Sequence, residues 1–568
     1  MELNAETRSV NEIFSPNKKY LVPRFQREYS WKEEEIDEFW EDIVQQIHIS
    51  EGSVSNEEYF IGCIVLVGED AKPDYLIVDG QQRLTTLTIL LRAIVQRIID
   101  LGDEPAAHAL YKNVIEGTDN DGKPYFKLLN ESPKPFFQNE LQSIKPQGIG
   151  RADTEEEQLL QSAYDNFQRR IRRFRLEGLS ELESVKALRQ QILNYLKFIL
   201  VTAKSEDDAY TIFETLNARG LSLTSVDLIK NWIFKTYQQV HPNDNAKDIW
   251  SELRKEISAF SDLETFFRHY WNSKYSFASD DRLYKSFKDL LKQNKIAPAK
   301  EFLLELKQAS GIYRSIGLPM ESDWPVQKLK SVFRSLILLN QYRVTQVRPF
   351  LLALLERYRA RVVTQTVLIQ CIENIENFHF IFSNICQDRA SGLEGKYARA
   401  AKNLHLAGSD KAKAKQVIKD LCDYLNRKRP SEQRISDALK ELNFKDGVDT
   451  NKKTIQTIFA KVERFKHGTS ELLVGNFSLE HIEDQSSGLD WVGSLGNLLP
   501  LDEDLNNRIK SNSTFKAKKG QYEKSSLRMV AEFLKLNPQD RWDKGAADRW
   551  LDYLSEAVVT ATSVKPVP

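Results

Sequence analysis

The sequence predicts an α+β protein that is predominantly helical: a mixed α/β N-terminal part, a long helical middle and a smaller C-terminal domain. Two observations carry this. Residues 59–67 and 75–78 are runs rich in β-branched and aromatic side chains, separated by a polar turn at 68–74, which is the pattern of a hairpin. Beyond about residue 237, apolar side chains recur at helical spacing, as around 336–339, 351–355 and 369–382.

At 568 residues the chain is too long for one ordinary core. Three parts are expected: 1–240, 241–440 and 441–568. In the first, Pro23 pushes its neighbour toward extended backbone. Ser30 is then expected to cap a helix through the acidic turn Glu33-Glu34-Glu35 and the apolar stripe Ile36, Phe39, Trp40, Ile43 and Ile47. Asp79-Gly80 ends the second hairpin strand, and a helix is expected from Gln81 to about Ile99. Residues 196–202 read as a strand returning to the same sheet. In the middle part, the polar stretch 408–415 reads as a loop, and Pro430 opens a further helical region.

Composition narrows the function. Lys and Arg number 80 against 81 Asp and Glu, a net charge of −1, so the chain does not coat nucleic acid indiscriminately and any DNA contact must be a local patch. Cys63, Cys371, Cys386 and Cys422 form no Cys-x-x-Cys pair, which argues against a zinc ribbon or a disulfide framework. No apolar run approaches the roughly 18–20 residues that span a bilayer, so no membrane partner is expected. The acidic start argues against a signal peptide, and a cytoplasmic location is the expectation.

Two clusters carry chemistry. In Asp79-Gly80-Gln81-Gln82-Arg83 a strand delivers polar groups to the start of a helix, whose unpaired N–H groups and dipole suit a phosphate. Gly80 lets a ligand approach the backbone, and Arg83 offers a planar fork. Asp79 could hold a magnesium ion or orient Arg83. The same spacing also serves a capped helix whose Arg83 pairs with Asp79 for structure alone. No Walker A pattern is present. Near the other end, Glu480-His481 is followed by Asn497, Asn506, Asn507, Lys518 and Lys519. Hydrolysis of a phosphodiester needs a base for water and a divalent cation for the departing oxygen, and an adjacent Glu-His pair on a strand can divide those tasks. Taken alone, His481 is one of eight histidines, and a lone His beside a Glu is more often a surface pair or a satisfied, partly buried residue than a catalytic base.

Resemblance adds to both readings. Val22-Pro23-Arg24-Phe25-Gln26-Arg27-Glu28-Tyr29-Ser30-Trp31, Phe60-Ile61-Gly62 and Val78-Asp79-Gly80-Gln81-Gln82-Arg83-Leu84-Thr85-Thr86-Leu87 resemble the ParB/sulfiredoxin-like domain of the GmrSD-type restriction endonucleases. So does the block from Ile212 to Thr224, followed by Asp227-Leu228-Ile229-Lys230-Asn231. The resemblance implies a nucleoside triphosphate facing Gln81, Gln82 and Arg83, with Arg27, Asp79 and Gly80 nearby. Asn217, Arg219 and Gly220 fit either a ligand contact or a C-cap turn.

The string Glu480-His481-Ile482-Glu483-Asp484-Gln485, with Trp491, Gly496-Asn497-Leu498, Asn506, Asn512, Phe515 and Lys518, resembles the HNH-type ββα-metal nuclease domain that accompanies this family. It implies His481 as general base, Asn497 as its orienting catalytic partner, Glu480 and Asn506 as ligands of Mg2+ or Mn2+, and Lys518 or Lys519 at a DNA phosphate. Asn507 rivals Asn506. Asp484 stands where the family pattern has proline, which is expected to loosen the turn and add a carboxylate.

The function so implied is an anti-phage DNA endonuclease acting on modified or foreign DNA. Nucleotide binding or hydrolysis would regulate the cut, and a homo-oligomer or companion defence proteins would be partners. The alternative is a nucleotide-dependent DNA-binding sensor with an inactive HNH-like domain. The arginine cluster Arg169-Arg170-x-Arg172-Arg173-x-Arg175 reads as a solvated helix face or a DNA-backbone contact, and the aromatic stretch 260–275 and His379 read as core.

Overall fold

The computed structural model describes residues 3–14, 18–23, 26, 28–50, 53–69, 73–130, 136–146, 152–205, 209, 224–237, 245–445, 451–468, 477–510 and 513–568. The chain divides into two compact units, Met1–Asp248 with Ala297–Glu301, and Ile249–Ile296 with Phe302–Pro568. Both are α+β or helical, and the whole is predominantly helical, as the sequence pattern requires.

The first unit is built on a six-stranded mixed sheet in the order Leu3–Ser9, Leu196–Ala203, Tyr59–Val67, Asp74–Asp79, Lys19–Val22, Leu128–Asn130. Tyr59–Val67 and Asp74–Asp79 form the expected antiparallel hairpin. Leu196–Ala203 returns parallel to Tyr59–Val67, with Leu196 opposite Tyr59, and pairs on its other edge with Leu3–Ser9.

The Gln81–Asp100 helix leaves the end of the hairpin and is buried nearly all round, from Leu84 and Leu87 to Ile94 and Ile98. Such a helix sits inside a core rather than over it. It packs against the helices Glu104–Val114 and Glu155–Arg173. Within the arginine cluster, Arg170 pairs with Asp37 at 2.5 Å and Arg175 with Glu181 at 2.6 Å. Arg169, Arg172 and Arg173 remain exposed.

One helix start differs from expectation. The helix spans Glu33–Val44 with Lys32, not Ser30, at its N-cap. The Ser30 N–H instead donates to Gln82 Oε1 at 2.9 Å, so a distant side chain claims the residue that local pattern assigned to the cap.

In the second unit the aromatic stretch is core: Phe266, Phe267, Tyr270 and Trp271 of the helix Leu263–Lys274 are all buried. His379 is fully buried, its Nε2 lies 2.9 Å from the Tyr397 hydroxyl, and burial pulls its pKa down to about 3, so it is a neutral packing residue. The stretch 408–415 is not a long loop. Asp410 accepts the Lys413 N–H and caps a helix from Lys411 to Lys428.

The C-terminal part is an antiparallel pair, Phe477–His481 with Leu498–Asp502, backed by the helices Phe515–Tyr522, Arg528–Leu536 and Lys544–Ala561. Leu479, Ile482, Leu498, Phe533 and Trp550 form its core, which also takes in Phe380, Ile381 and Ile385 from the helical region before it. Among the described residues no helix is long and apolar enough to cross a membrane.

Candidate functional site

The pairing register sets the geometry of the C-terminal cluster. Glu480 lies opposite Leu499 and His481 opposite Leu498, so the two side chains leave the strand on opposite faces. Ser478 shares the face of Glu480, and Asn506 Nδ2 donates to Ser478 Oγ at 2.7 Å. Glu480 and Asn506 are therefore brought to one side of the hairpin. Asn507, the rival ligand, is exposed, whereas Asn506 is half-buried.

The His481 ring is held from both ends although it is only 7 % exposed. Nε2 lies 3.1 Å from the Phe444 carbonyl oxygen, and the ring stacks on Phe444 with centroids 5.6 Å apart. A carbonyl can only accept, so Nε2 must carry the hydrogen, and in the neutral ring the lone pair falls on Nδ1. Gln485 Nε2 donates to that Nδ1 at 3.2 Å. A backbone carbonyl thus fixes the tautomer and leaves Nδ1 as the basic atom. Phe444 and Gln485, which hold the ring, are the members of the candidate site that sequence reasoning missed as such; nothing in local spacing connects residue 444 to residue 481.

Asn497 is fully buried and does not touch the imidazole. Its Oδ1 accepts the Glu483 N–H at 2.8 Å and Trp542 Nε1–H at 2.9 Å. Its Nδ2 donates to the carbonyls of Glu483 at 3.0 Å and Val492 at 2.7 Å. The Asn497 carbonyl also accepts the Ile482 N–H at 2.9 Å. It is a positioning residue that pins the chain immediately after His481. Asn497→Ala leaves at least two buried donors without acceptors, and the expected cost is about 3–5 kcal/mol. Calorimetric melting of the full chain checks this: an unchanged transition for the C-terminal part would show that the network carries no stability.

Two lysines depart from expectation. Lys518 was expected at a DNA phosphate, but it is only 3 % exposed: its Nζ donates to Glu480 Oε1 at 2.8 Å and to the His481 carbonyl at 2.7 Å. Tyr522, one helical turn on, donates to the same Glu480 oxygen at 3.0 Å. A charged carboxylate inside a core is stable only with such partners, so Lys518 neutralises Glu480 and is not placed to meet a phosphate. Lys519 donates to the carbonyls of Pro538 at 2.9 Å and Gln539 at 3.0 Å, which directs its ammonium to the neighbouring loop.

The Asp484 turn is not loosened. Asp484 has φ −64°, the value a proline ring would impose, and its Oδ1 accepts the Ser486 N–H at 2.9 Å. Side-chain capping replaces ring closure there.

A divalent ion was expected on Glu480 and Asn506. Among the described residues no group of three or more His, Cys, Asp or Glu side chains could enclose a metal. Oε1 of Glu480 takes both the Lys518 and Tyr522 bonds, which leaves Oε2 as the ligand atom; the Asn506 amide donates through Nδ2, which leaves its Oδ1. Two hard oxygens on one face fit a magnesium-class ion that keeps most of its water or takes phosphate oxygens, and they do not fit fully protein-ligated zinc.

In the first unit, Gly80 caps the Gln81–Asp100 helix with φ +96°, and a Cβ there would lie 3.0 Å from Ile64 Cγ1. The position therefore requires glycine. Gln26, Trp31 and residues 79–83 enclose a cavity of about 100 Å3. This is well below the roughly 300 Å3 at which small-molecule sites begin, so the described residues bound space for a phosphoryl group rather than a whole nucleotide.

Gln81 and Gln82 are buried at its edge. Gln82 is fully engaged by the backbone of the preceding segment: Nε2 donates to the Glu28 carbonyl at 3.1 Å and Oε1 accepts from Ser30. Arg83 Nη1 donates to the Cys63 carbonyl at 3.0 Å, and a Cβ on Gly62 would lie 3.2 Å from its Cζ, so the guanidinium lies flat on backbone. Asp79 lines the cavity. Arg27, Asn512 and the block containing Asn217, Arg219 and Gly220 lie outside the described residues.

These features define a protein that joins a mixed-sheet domain with a polar strand-to-helix turn to a helical unit carrying a Glu-His hairpin. The model of the GmrSD restriction endonuclease N-terminal domain matches residues 10–234, and that of the GmrSD restriction endonuclease C-terminal domain matches residues 429–557, together more than half of the chain. The chain belongs to the GmrSD restriction endonuclease family; it is a restriction-type nuclease, and DNA is its substrate class. No individual curated protein matches it.

Proposed function

We propose that this chain is an anti-phage DNA endonuclease whose cutting centre is the HNH-type hairpin at Glu480–His481 and whose 79–83 turn binds and turns over a nucleotide to license the cut. The observation that supports the first half is the His481 tautomer. With Nε2–H held by the Phe444 carbonyl, Nδ1 can take the proton of an attacking water, displacing the weaker Gln485 contact, and the resulting imidazolium is stabilised at Nε2 by the same carbonyl. Glu480 Oε2 and Asn506 Oδ1 would hold a magnesium-class ion, which when bound supplies charge neutralisation at the departing 3′ oxygen. Lys518 holds Glu480 in place by pairing with its other oxygen.

For the second half, the support is the anion-accepting helix start at Gly80 and the phosphoryl-sized cavity beside it. Modified or foreign DNA is the proposed target.

The test is cleavage of modified and unmodified phage DNA by the purified full chain with Mg2+ or Mn2+, with and without each nucleoside triphosphate. The expected result is metal-dependent nicking or cutting that at least one triphosphate alters. DNA binding that responds to nucleotide, without cleavage under any of these conditions, would instead make the chain a sensor.

A further inference from the structure

The second unit holds a cavity of about 590 Å3 that neither motif contributes to. Its walls come from the helices Lys330–Gln341, Gln365–His379 and Lys452–His467 and from the segment after Ala561. Its volume falls within the roughly 300–1,000 Å3 of small-molecule sites.

Its charges are unevenly satisfied. Lys461 is buried and donates to Glu376 Oε2 at 2.5 Å and Asn377 Oδ1 at 2.6 Å, so that ammonium is fully occupied. The guanidiniums of Arg334 and Arg464 are not. Neither makes a hydrogen bond or ion pair with any described residue, and Arg334 Nη1 is buried with no partner. Burial holds both below the ordinary arginine pKa and the charge of Arg464 pushes Arg334 down further, while the carboxylate of Glu373 pulls both the other way, as does that of Glu376 on Arg464. Two residues that line the cavity also carry buried polar atoms without a partner, Gln365 at Nε2 and Glu376 at Oε1. Two partly buried guanidiniums beside each other without a hydrogen-bonded acceptor carry a cost. An anion between them removes the repulsion and supplies the missing acceptors.

We propose that this cavity binds a small organic phosphate, with the guanidiniums of Arg334 and Arg464 on the phosphate oxygens. The volume exceeds what inorganic phosphate alone fills, which is why an organic part belongs to the ligand. The site stands independently of any nucleotide at the 79–83 turn.

The experiment is calorimetric titration of the full chain with pyrophosphate, with ATP and with a short DNA duplex, in wild type, Arg83→Ala, Arg334→Met and Arg464→Met. The expected result is that Arg83→Ala retains a binding event that Arg334→Met and Arg464→Met each weaken by about tenfold or more. Without ligand, Arg334→Met is expected to melt no lower than wild type, because it removes a charge whose Nη1 is desolvated without an acceptor. If either methionine variant fails to fold, Arg464→Lys, which keeps the charge but loses the fork, serves in its place and is expected to bind more weakly than wild type. Loss of all binding in Arg83→Ala, or unchanged affinity in the Arg464 variants, overturns the proposal. So does weaker binding of a short duplex with pyrophosphate affinity unaltered. Failure of Arg83→Ala to change either nucleotide binding or DNA cleavage would instead count against the 79–83 turn and leave this cavity standing.

Discussion

Replacing His481 with alanine is expected to lower the rate of DNA cleavage by about 10²–10⁴-fold, the range that a positioned proton acceptor supplies. The chain should still fold, because the ring contributes two hydrogen bonds and one stacking contact, worth together on the order of 1–3 kcal/mol. Plasmid nicking under single-turnover conditions reads the rate, and a melting curve reads the fold. Gln485→Ala is a graded companion, because it removes the donor to Nδ1 and leaves the Phe444 carbonyl that sets the tautomer. Cleavage by the alanine variant at His481 equal to that of wild type would remove this imidazole from the chemistry altogether.

The second large effect concerns stability. Lys518→Met is expected to destabilise the second unit by about 3–5 kcal/mol, because the buried Glu480 carboxyl then keeps only the Tyr522 hydroxyl as a partner. Neutralising both partners, Glu480→Gln with Lys518→Met, should recover much of that loss. Lys519→Met, whose ammonium meets two carbonyls at the molecular surface, should change stability by no more than about 0.5 kcal/mol. Denaturant titration of the four proteins gives the comparison. A Lys518 variant that unfolds like wild type but binds DNA less tightly would return this lysine to the phosphate role that its place in the motif suggested.

How much of this was legible beforehand depends on the distance over which each feature is determined. The Tyr59–Val67 and Asp74–Asp79 hairpin, the Gln81–Asp100 helix and the Leu196–Ala203 strand follow from runs and periods within one element, and the pattern sufficed. Features set by remote partners were not visible. Ser30 has the chemistry of a cap, yet Gln82 takes its N–H. Lys518 looks like a surface cation, yet Glu480 draws it inward from 38 positions away. Lys518 and Tyr522 are four apart and share a helix face, which was a readable hint that both serve one acceptor. The polarity of 408–415 suggested a loop because lysines are solvent-facing in loops and helices alike; Asp410 as a cap was the stronger signal. At the hairpin, residue types named the chemistry, but which histidine nitrogen is basic depends on a carbonyl that no motif contains.

The place of Leu196–Ala203 between the strands Leu3–Ser9 and Tyr59–Val67 also bears on how the chain is made. Until the ribosome has delivered residue 203, the first strand has no neighbour and the hairpin has a bare edge, so the N-terminal sheet closes late relative to its own synthesis. It nonetheless closes well before His481 is translated. Vectorial synthesis therefore lets the six-stranded sheet close before the Glu480–His481 hairpin is made.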